Sequence, residues 1–273
     1  MQFPYKRSQD NISYSTLMNF KKCGHFYKLT VIDNLGKFES TLDTILGTLL
    51  HKYVGLVVSN QLSSEVASAT FTRTWLKLGG IYDKHINHER YDIQKLNLAG
   101  VNILKTVKAS FEKNVPGYAL ISLEESIEKR LRVKINDKHR QFFKGFIDFI
   151  IRVGDKIVIV DFKTCGSLYY FKKKIDKYKE MQLVLYKHFY AKLMGIEEKD
   201  VETYFVTLEK NYKVKEPVQF ISVTAGNVKI NNHLKILDNA LGAINRQDFI
   251  KNRANCIDDF GTCVFYDTLH CTR

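Results

Sequence analysis

Residues Phe143 to Thr164 read FKGFIDFIIRVGDKIVIVDFKT, and the register of this stretch decides how the rest of the chain is understood. Two apolar runs, Phe146–Val153 and Lys156–Phe162, flank Gly154-Asp155. Glycine supplies the positive φ that the first position of a type II′ turn requires, so the pair predicts a two-residue hairpin. Such a turn pairs Val153 with Lys156, then Ile150 with Ile159, then Asp148 with Asp161. Directly opposed side chains on antiparallel strands lie roughly 4.5–5.5 Å apart at Cβ, which places the two carboxylates in one small volume. Lys163 shares the face of Asp161, because side chains two apart along a strand point the same way. Ile157 and Ile159 face one side and Val158, Val160 and Phe162 the other, the pattern of an inner strand covered on both faces. Two like charges at the end of such a strand repel unless a cation joins them. Three converging polar groups therefore predict a metal site; the alternative is a strand end that reaches water, with Asp161 and Lys163 paired to each other.

Composition narrows the partners. The chain has 273 residues, 45% of them hydrophobic, enough to bury a substantial core. Forty-two Lys and Arg against 29 Asp and Glu give a formal charge of +13, which favours a polyanion such as nucleic acid. A membrane is the weaker choice, because the most apolar stretch, Ile45–Val58, is too short to span one and is broken by His51 and Lys52. The start, MQFPYKRSQDN, carries no apolar signal core, so an intracellular, cytoplasmic protein is expected. Five cysteines without short regular spacing argue against a secreted disulfide scaffold and leave metal binding open.

Apolar residues at helical spacing predict helices over Ser13–Leu29, Ser40–Ser59, Ser63–Leu78, Tyr91–Phe111, Asp176–Met194 and Val228–Ile244. On the second of these, His51 lies off the centre of the apolar stripe. Gly47 and Gly55, one turn before and after it, clear its face at a propensity cost of about 1 kcal/mol each. Either something approaches His51 there or it is an ordinary surface histidine. Leu120–Ile135 alternates like a single strand, and inner strands are expected at Glu202–Leu208 and Val218–Val223. A two-residue turn at Asn136-Asp137 would pair Ile135 with Lys138 and bring Glu125 opposite Asp148. Phe171–Lys179 reads FKKKIDKYK, and Lys172, Lys173 and Lys174 follow the metal strand closely enough to track a phosphate backbone. Gln182 and Tyr186 fall one turn apart on the next helix. In the loop-like tail, Cys256, Cys263 and Cys271 point to a metal or cluster site that lacks one ligand. Cys23 is the remote fourth candidate, while His25 or His270 would suit zinc. Cys165 reads as an ordinary core residue.

Together these motifs resemble the PD-(D/E)XK nuclease superfamily, specifically its RecB- and AddB-like exonuclease branch. ISYSTLMNFKKCGHFY is similar to that branch's Ser-x-x-x-Leu-x-x-Phe-x-x-Cys helix, and GTLLH to its Gly-x-x-x-His motif. GFIDFI resembles the Gly-x-x-Asp strand, DFKT the Asp/Glu-x-Lys signature and MQLVLY the Gln-x-x-x-Tyr helix. The resemblance implies an α/β, restriction-endonuclease-like core: a central mixed β-sheet flanked by helices, with an N-terminal helical region and a Cys-containing C-terminal tail. It implies one nuclease domain over 1–273, mainly helical over 1–115, with the nuclease core at 116–224 and the C-terminal helix and Cys tail at 225–273. By the same resemblance His51, Asp148 and Asp161 would ligate Mg²⁺ or Mn²⁺, and Lys163 would activate water and stabilise phosphate charge. Gln182 and Tyr186 would position DNA, and Glu125 would support the metal site. Cys23, Cys256, Cys263 and Cys271 would hold a 4Fe-4S cluster, with Zn²⁺ as the alternative, although the gaps of six and seven residues between the last three differ from the branch's frequent spacing. The implied activity is metal-dependent DNA exonuclease action at ends or in single strands, in recombination, repair or genome processing, beside a helicase or recombination partner. An endonuclease, a CRISPR-adaptation-type end trimmer and a non-catalytic DNA-binding subunit are the alternatives.

Overall fold

Gly154 adopts φ 55° and closes the two-residue turn between two strands, as seen in a computed structural model that describes residues 10–36, 41–82, 92–123, 130–175, 177–258 and 261–272. The register follows from that turn: Val153 pairs with Lys156, Ile150 with Ile159 and Phe149 with Val160. The chain forms two compact units, one from Met1–Phe38, Leu131–Gly145 and Ala225–Arg273, the other from Glu39–Arg130 and Phe146–Thr224.

The second unit is built on a mixed five-stranded sheet in the order β2 (Ala119–Leu123), β5 (Phe149–Val153), β6 (Lys156–Cys165), β7 (Val201–Glu209), β8 (Val218–Ser222). The middle strand, β6, runs antiparallel to β5 and parallel to β7. Val158, Val160 and Phe162 on one of its faces join the core made with α3 (Leu42–Val58), α4 (Ser64–Tyr82) and α5 (Ile93–Asn114). The other face meets α7 (Lys177–Met194), whose Met181 and Leu185 are buried. Both faces are therefore dry along most of the strand, which its near-continuous run of β-branched residues anticipates.

Local chemistry starts α3 and α5. Thr41 caps α3 through a reciprocal pair of hydrogen bonds with Thr44, and Asp92 caps α5 by accepting from Lys95 N at 2.9 Å. Where α5 meets α4, Gly100 leaves room for the fully buried Phe71 ring, since a Cβ built there would stand 2.3 Å from it.

The first unit holds a three-stranded sheet, with β4 (Phe142–Phe146) between β1 (Asn11–Ile12) and β3 (Arg130–Lys134). It also contains α1 (Tyr14–Lys22), α2 (Gly24–Tyr27) and α8 (Asn227–Asn245). A short π-helix, Lys28–Ile32, continues α2. A polar network ties the β3–β4 loop to α8: Asn136 donates to Asp238 at 3.1 Å, His139 Nε2 contacts the same carboxylate at 2.8 Å, and Gln141 donates to Asn245 at 2.6 Å.

Three sequence expectations are corrected. The alternating segment Leu120–Ile135 does not form one strand: β2 and β3 belong to different sheets. Nor is Asn136-Asp137 a two-residue turn, because the connection from Lys134 to Phe142 is longer and Asn136 Oδ1 caps it by accepting from Lys138 N and His139 N. The apolar run from Phe146 to Val153 is also interrupted: β4 ends at Phe146 and β5 begins at Phe149, leaving Asp148 at a bend.

Candidate active site

Asp161 stands on β6 with 2% of its surface exposed, so the strand end does not reach water there. A buried carboxylate has to be neutralised or hydrogen-bonded, and the groups around it do both. Gln182 on α7 donates to Asp161 Oδ1 at 2.8 Å. Lys163 Nζ lies 2.6 Å from Asp161 Oδ2 and also donates to Gln182 Oε1 at 3.0 Å. One glutamine amide thus orients both charged residues, its N–H₂ on the acid and its C=O on the base. Tyr186, one turn further along α7, accepts from Gln182 Nε2 at 3.3 Å.

The ladder between β5 and β6 ends at Phe149, one residue short of the pairing expected for Asp148 and Asp161. Because Asp148 sits at the bend, its Oδ2 accepts from Phe162 N–H at 2.8 Å and lies 3.6 Å from His51 Nδ1. The imidazole comes from α3 and tilts over the Phe162 ring at 5.7 Å. His51, Asp148, Asp161, Lys163, Gln182 and Tyr186 are thereby gathered at one end of β6. Glu125 lies outside the described residues. The described end of β2 sets Leu123 opposite Phe149.

Burial pushes His51 down to about 4, against the upward pull of Asp161, so the ring is neutral near pH 7 and its lone pair is available to a metal. Burial alone would lower the Lys163 ammonium, yet the charges of Asp161 and Asp148 outweigh it and hold the group above the ordinary lysine value. Lys163 is therefore a fixed cation. Burial and the Asp161 charge push the Tyr186 phenol well up, so it stays neutral.

These residues fit a hard divalent cation by their chemistry. Two carboxylates and a neutral imidazole are an oxygen-rich donor set, and Asp161 Oδ2 is buried without a well-aligned hydrogen bond. Among the described residues no three His, Cys, Asp or Glu side chains are gathered tightly enough to hold an ion as they stand. The reason is visible in the partners: Asp161 turns to Lys163 and Gln182, Asp148 to the Phe162 amide. A cleft of about 460 Å³ lined by Asp43, Gly47, His51, Phe162 and Lys163 opens beside them. Gly47 forms part of its wall, and a Cβ there would meet only Thr164 Oγ1 at an ordinary 3.6 Å. Lys172, Lys173 and Lys174 are exposed on α6 (Leu168–Lys174), the helix that follows β6. Sequence reasoning passed over the two tyrosines beside them, Tyr169 and Tyr170.

In the first unit, Cys23, Cys256, Cys263 and Cys271 line one small cavity of about 20 Å³. None of them is in a disulfide. Cys23 caps α2, its sulfur accepting from Phe26 N–H and Asn252 N–H at 3.4 Å each. Two short strands, Ile257–Asp258 and Gly261–Thr262, pair so that Cys263 N–H reaches Cys256 O at 2.7 Å. Burial, reinforced by the neighbouring sulfurs of Cys263, Cys271 and Cys23, pushes the Cys256 thiol up. His25 Nε2 is taken by the His270 carbonyl at 2.9 Å, so that nitrogen donates and is not presented to a metal. Cys165 is buried at the end of β6, where burial raises its thiol to about 11.

None of the curated proteins matches the chain. A solved structure named "Putative exonuclease", from Eubacterium rectale, superposes with a TM-score of 0.52 at 14% identity, covering 90% of this chain and 85% of that one. The crystal structure of SSO0001 aligns over 84% of this chain and 96% of its own at 14% identity, with a TM-score of 0.30. The first likeness shows a shared overall fold. The family profile of the PD-(D/E)XK nuclease superfamily matches residues 11–265, a span that includes Asp148, Asp161, Lys163 and Gln182, and the chain belongs to that superfamily.

Proposed function

We propose that this chain is a divalent-metal-dependent deoxyribonuclease that removes nucleotides from DNA ends or single strands. The observation that carries the reading is the Gln182 amide bridging Asp161 and Lys163, because it fixes a carboxylate and a cation side by side at a sheet end. His51, Asp148 and Asp161 would hold Mg²⁺ or Mn²⁺, which supplies Lewis-acid polarisation of a phosphate oxygen and a lowered water pKa. Lys163, held protonated, donates to the scissile phosphate or to the attacking water and offsets the charge that builds there. Gln182 keeps that ammonium aimed, and neutral Tyr186 holds Gln182 in place. The formal charge of +13 and Lys172–Lys174 favour a polyanionic strand as substrate.

The four cysteines of the first unit are assigned to a 4Fe-4S cluster. Four thiols on one cavity, with backbone N–H groups aimed at the Cys23 sulfur, support soft-metal ligation. Zinc through His25 is disfavoured by the hydrogen bond from its Nε2 to His270 O. Protein purified anaerobically is expected to absorb in the visible region and contain about four iron atoms per chain. Colourless, iron-free protein contradicts the cluster.

Comparing closed circular with linear single-stranded DNA tests the exonuclease assignment. The linear strand alone should be degraded, and cutting of both at equal rates would make the enzyme an endonuclease. A helicase or recombination partner belongs to the same proposal, and co-purification with a DNA-dependent ATPase from the native host would support it.

A further inference from the structure

Helix α6 reads LYYFKKK and follows β6, the strand of Asp161 and Lys163, after only Gly166 and Ser167. None of its residues is fully buried. Phe171 anchors it, meeting the buried Phe205 ring edge-on at 6.1 Å, and Lys163 Nζ lies 5.8 Å from the centre of that same ring. The helix is therefore seated on the part of the sheet that carries the Lys163 ammonium. At about 100° per residue, Tyr169 and Lys173 fall on the side opposite Phe171. They touch each other: Lys173 Nζ stands 4.4 Å over the Tyr169 ring.

Tyr169 is 59% exposed and Tyr170 64%, and the two rings contact edge to face at 5.4 Å. A single exposed aromatic needs no explanation, whereas two adjacent ones bordered by three lysines form a patch with a chemistry. Aromatic faces accept nucleobases by stacking, and lysines interleaved with them follow the phosphates of the same strand. A duplex keeps its base faces stacked on one another, so only unpaired bases can use such rings.

We infer that Tyr169 and Tyr170 form a base-stacking platform for single-stranded nucleic acid beside the active site, so that α6 sets a preference for unpaired strands. This deepens the nuclease reading and rests on it. The lysines give attraction to any phosphate backbone, and the tyrosines supply the discrimination.

The test uses the full chain carrying Asp161→Ala, expected to cut too slowly to degrade the probe during a binding measurement. Fluorescence anisotropy measures its affinity for labelled oligo(dT), for an abasic strand of the same length and for a blunt hairpin duplex. Adding Tyr169→Ala and Tyr170→Ala together is expected to weaken oligo(dT) binding about tenfold or more while leaving duplex binding within about twofold. The Tyr169→Phe and Tyr170→Phe pair should retain the affinity, because a phenyl face also stacks. The abasic strand should bind the parent about as weakly as oligo(dT) binds the alanine pair. An unchanged ratio of single-strand to duplex affinity in the alanine pair overturns the inference, as does equal binding of abasic and normal strands, and the patch would then be a phosphate or protein contact. Cleavage by the wild-type chain is measured in parallel. If it cuts DNA while the tyrosine variants bind like the parent, the inference alone fails; if it neither cuts nor binds, the nuclease reading falls with it.

Discussion

Both ends of the Gln182 amide are committed, its N–H₂ to Asp161 and its C=O to Lys163, and that single side chain sets the relative orientation of the two charges. Gln182→Ala is expected to lower kcat about 10- to 100-fold with little change in KM, since it removes orientation and leaves the charged residues in place. Steady-state kinetics on a linear substrate checks this split. Tyr186 acts one step further out. Its phenol is held well above its ordinary value, so it does not ionise below pH 10, and Tyr186→Phe should cost only a few-fold in rate without moving the pH profile. Asp161 and Lys163 were legible because the Gly154-Asp155 turn leaves one register for the hairpin, whereas the expected pairing of Asp148 with Asp161 does not form. The bend at Asp148 was not legible, because Phe146–Val153 is apolar apart from Asp148 and Arg152 and carries no Gly or Pro to mark the point where the chain changes sheets. The same blindness joined Leu120–Ile135 into one strand: alternation reports which way side chains point and says nothing about which sheet a strand joins.

At the level of elements, helix positions followed from periodicity and caps, and the starts and ends of α3, α7 and α8 fall within about two residues of expectation. The close contact between α4 and α5 was hidden, because Gly100 looks like any helical glycine until Phe71 is seen against it. Gly100→Ala should therefore destabilise the second unit by about 1–3 kcal/mol or more, as an overpacked core does. Gly47 behaves in the opposite way. It lines the cleft beside His51, and a methyl group there meets Thr164 Oγ1 at an ordinary 3.6 Å, so Gly47→Ala should be neutral or stabilising by up to about 1 kcal/mol. Urea melts of the two variants give the comparison, and equal midpoints for both would contradict it. Phe171–Lys179 is expected from its sequence to track a phosphate backbone. Its first four residues lie on α6, and that helix brings Tyr169 and Lys173 into contact.

Across the whole molecule, two units assemble from interleaved segments: the chain leaves the first unit after Phe38, re-enters it at Leu131–Gly145 and returns at Ala225. The cysteines explain part of that arrangement, since Cys23 and the last three meet although more than 200 residues separate them in sequence. If they hold a cluster, replacing Cys263 with serine should bleach the visible absorbance and lower the melting temperature of the first unit by several degrees, because loss of a ligand that binds only the folded state removes its stabilisation. A melting curve and spectrum identical to wild type would show the thiols to be unligated. No described helix is long and apolar enough to cross a membrane.

The most direct test of the nuclease assignment is cleavage of end-labelled linear DNA by the wild-type chain, Asp161→Ala and Lys163→Ala, with folding of each variant checked by circular dichroism. The account predicts degradation by wild type that needs Mg²⁺ or Mn²⁺ and stops with a chelator, and a loss on the order of 100- to 1,000-fold or more in both variants. Cleavage at the wild-type rate by either folded variant would contradict it.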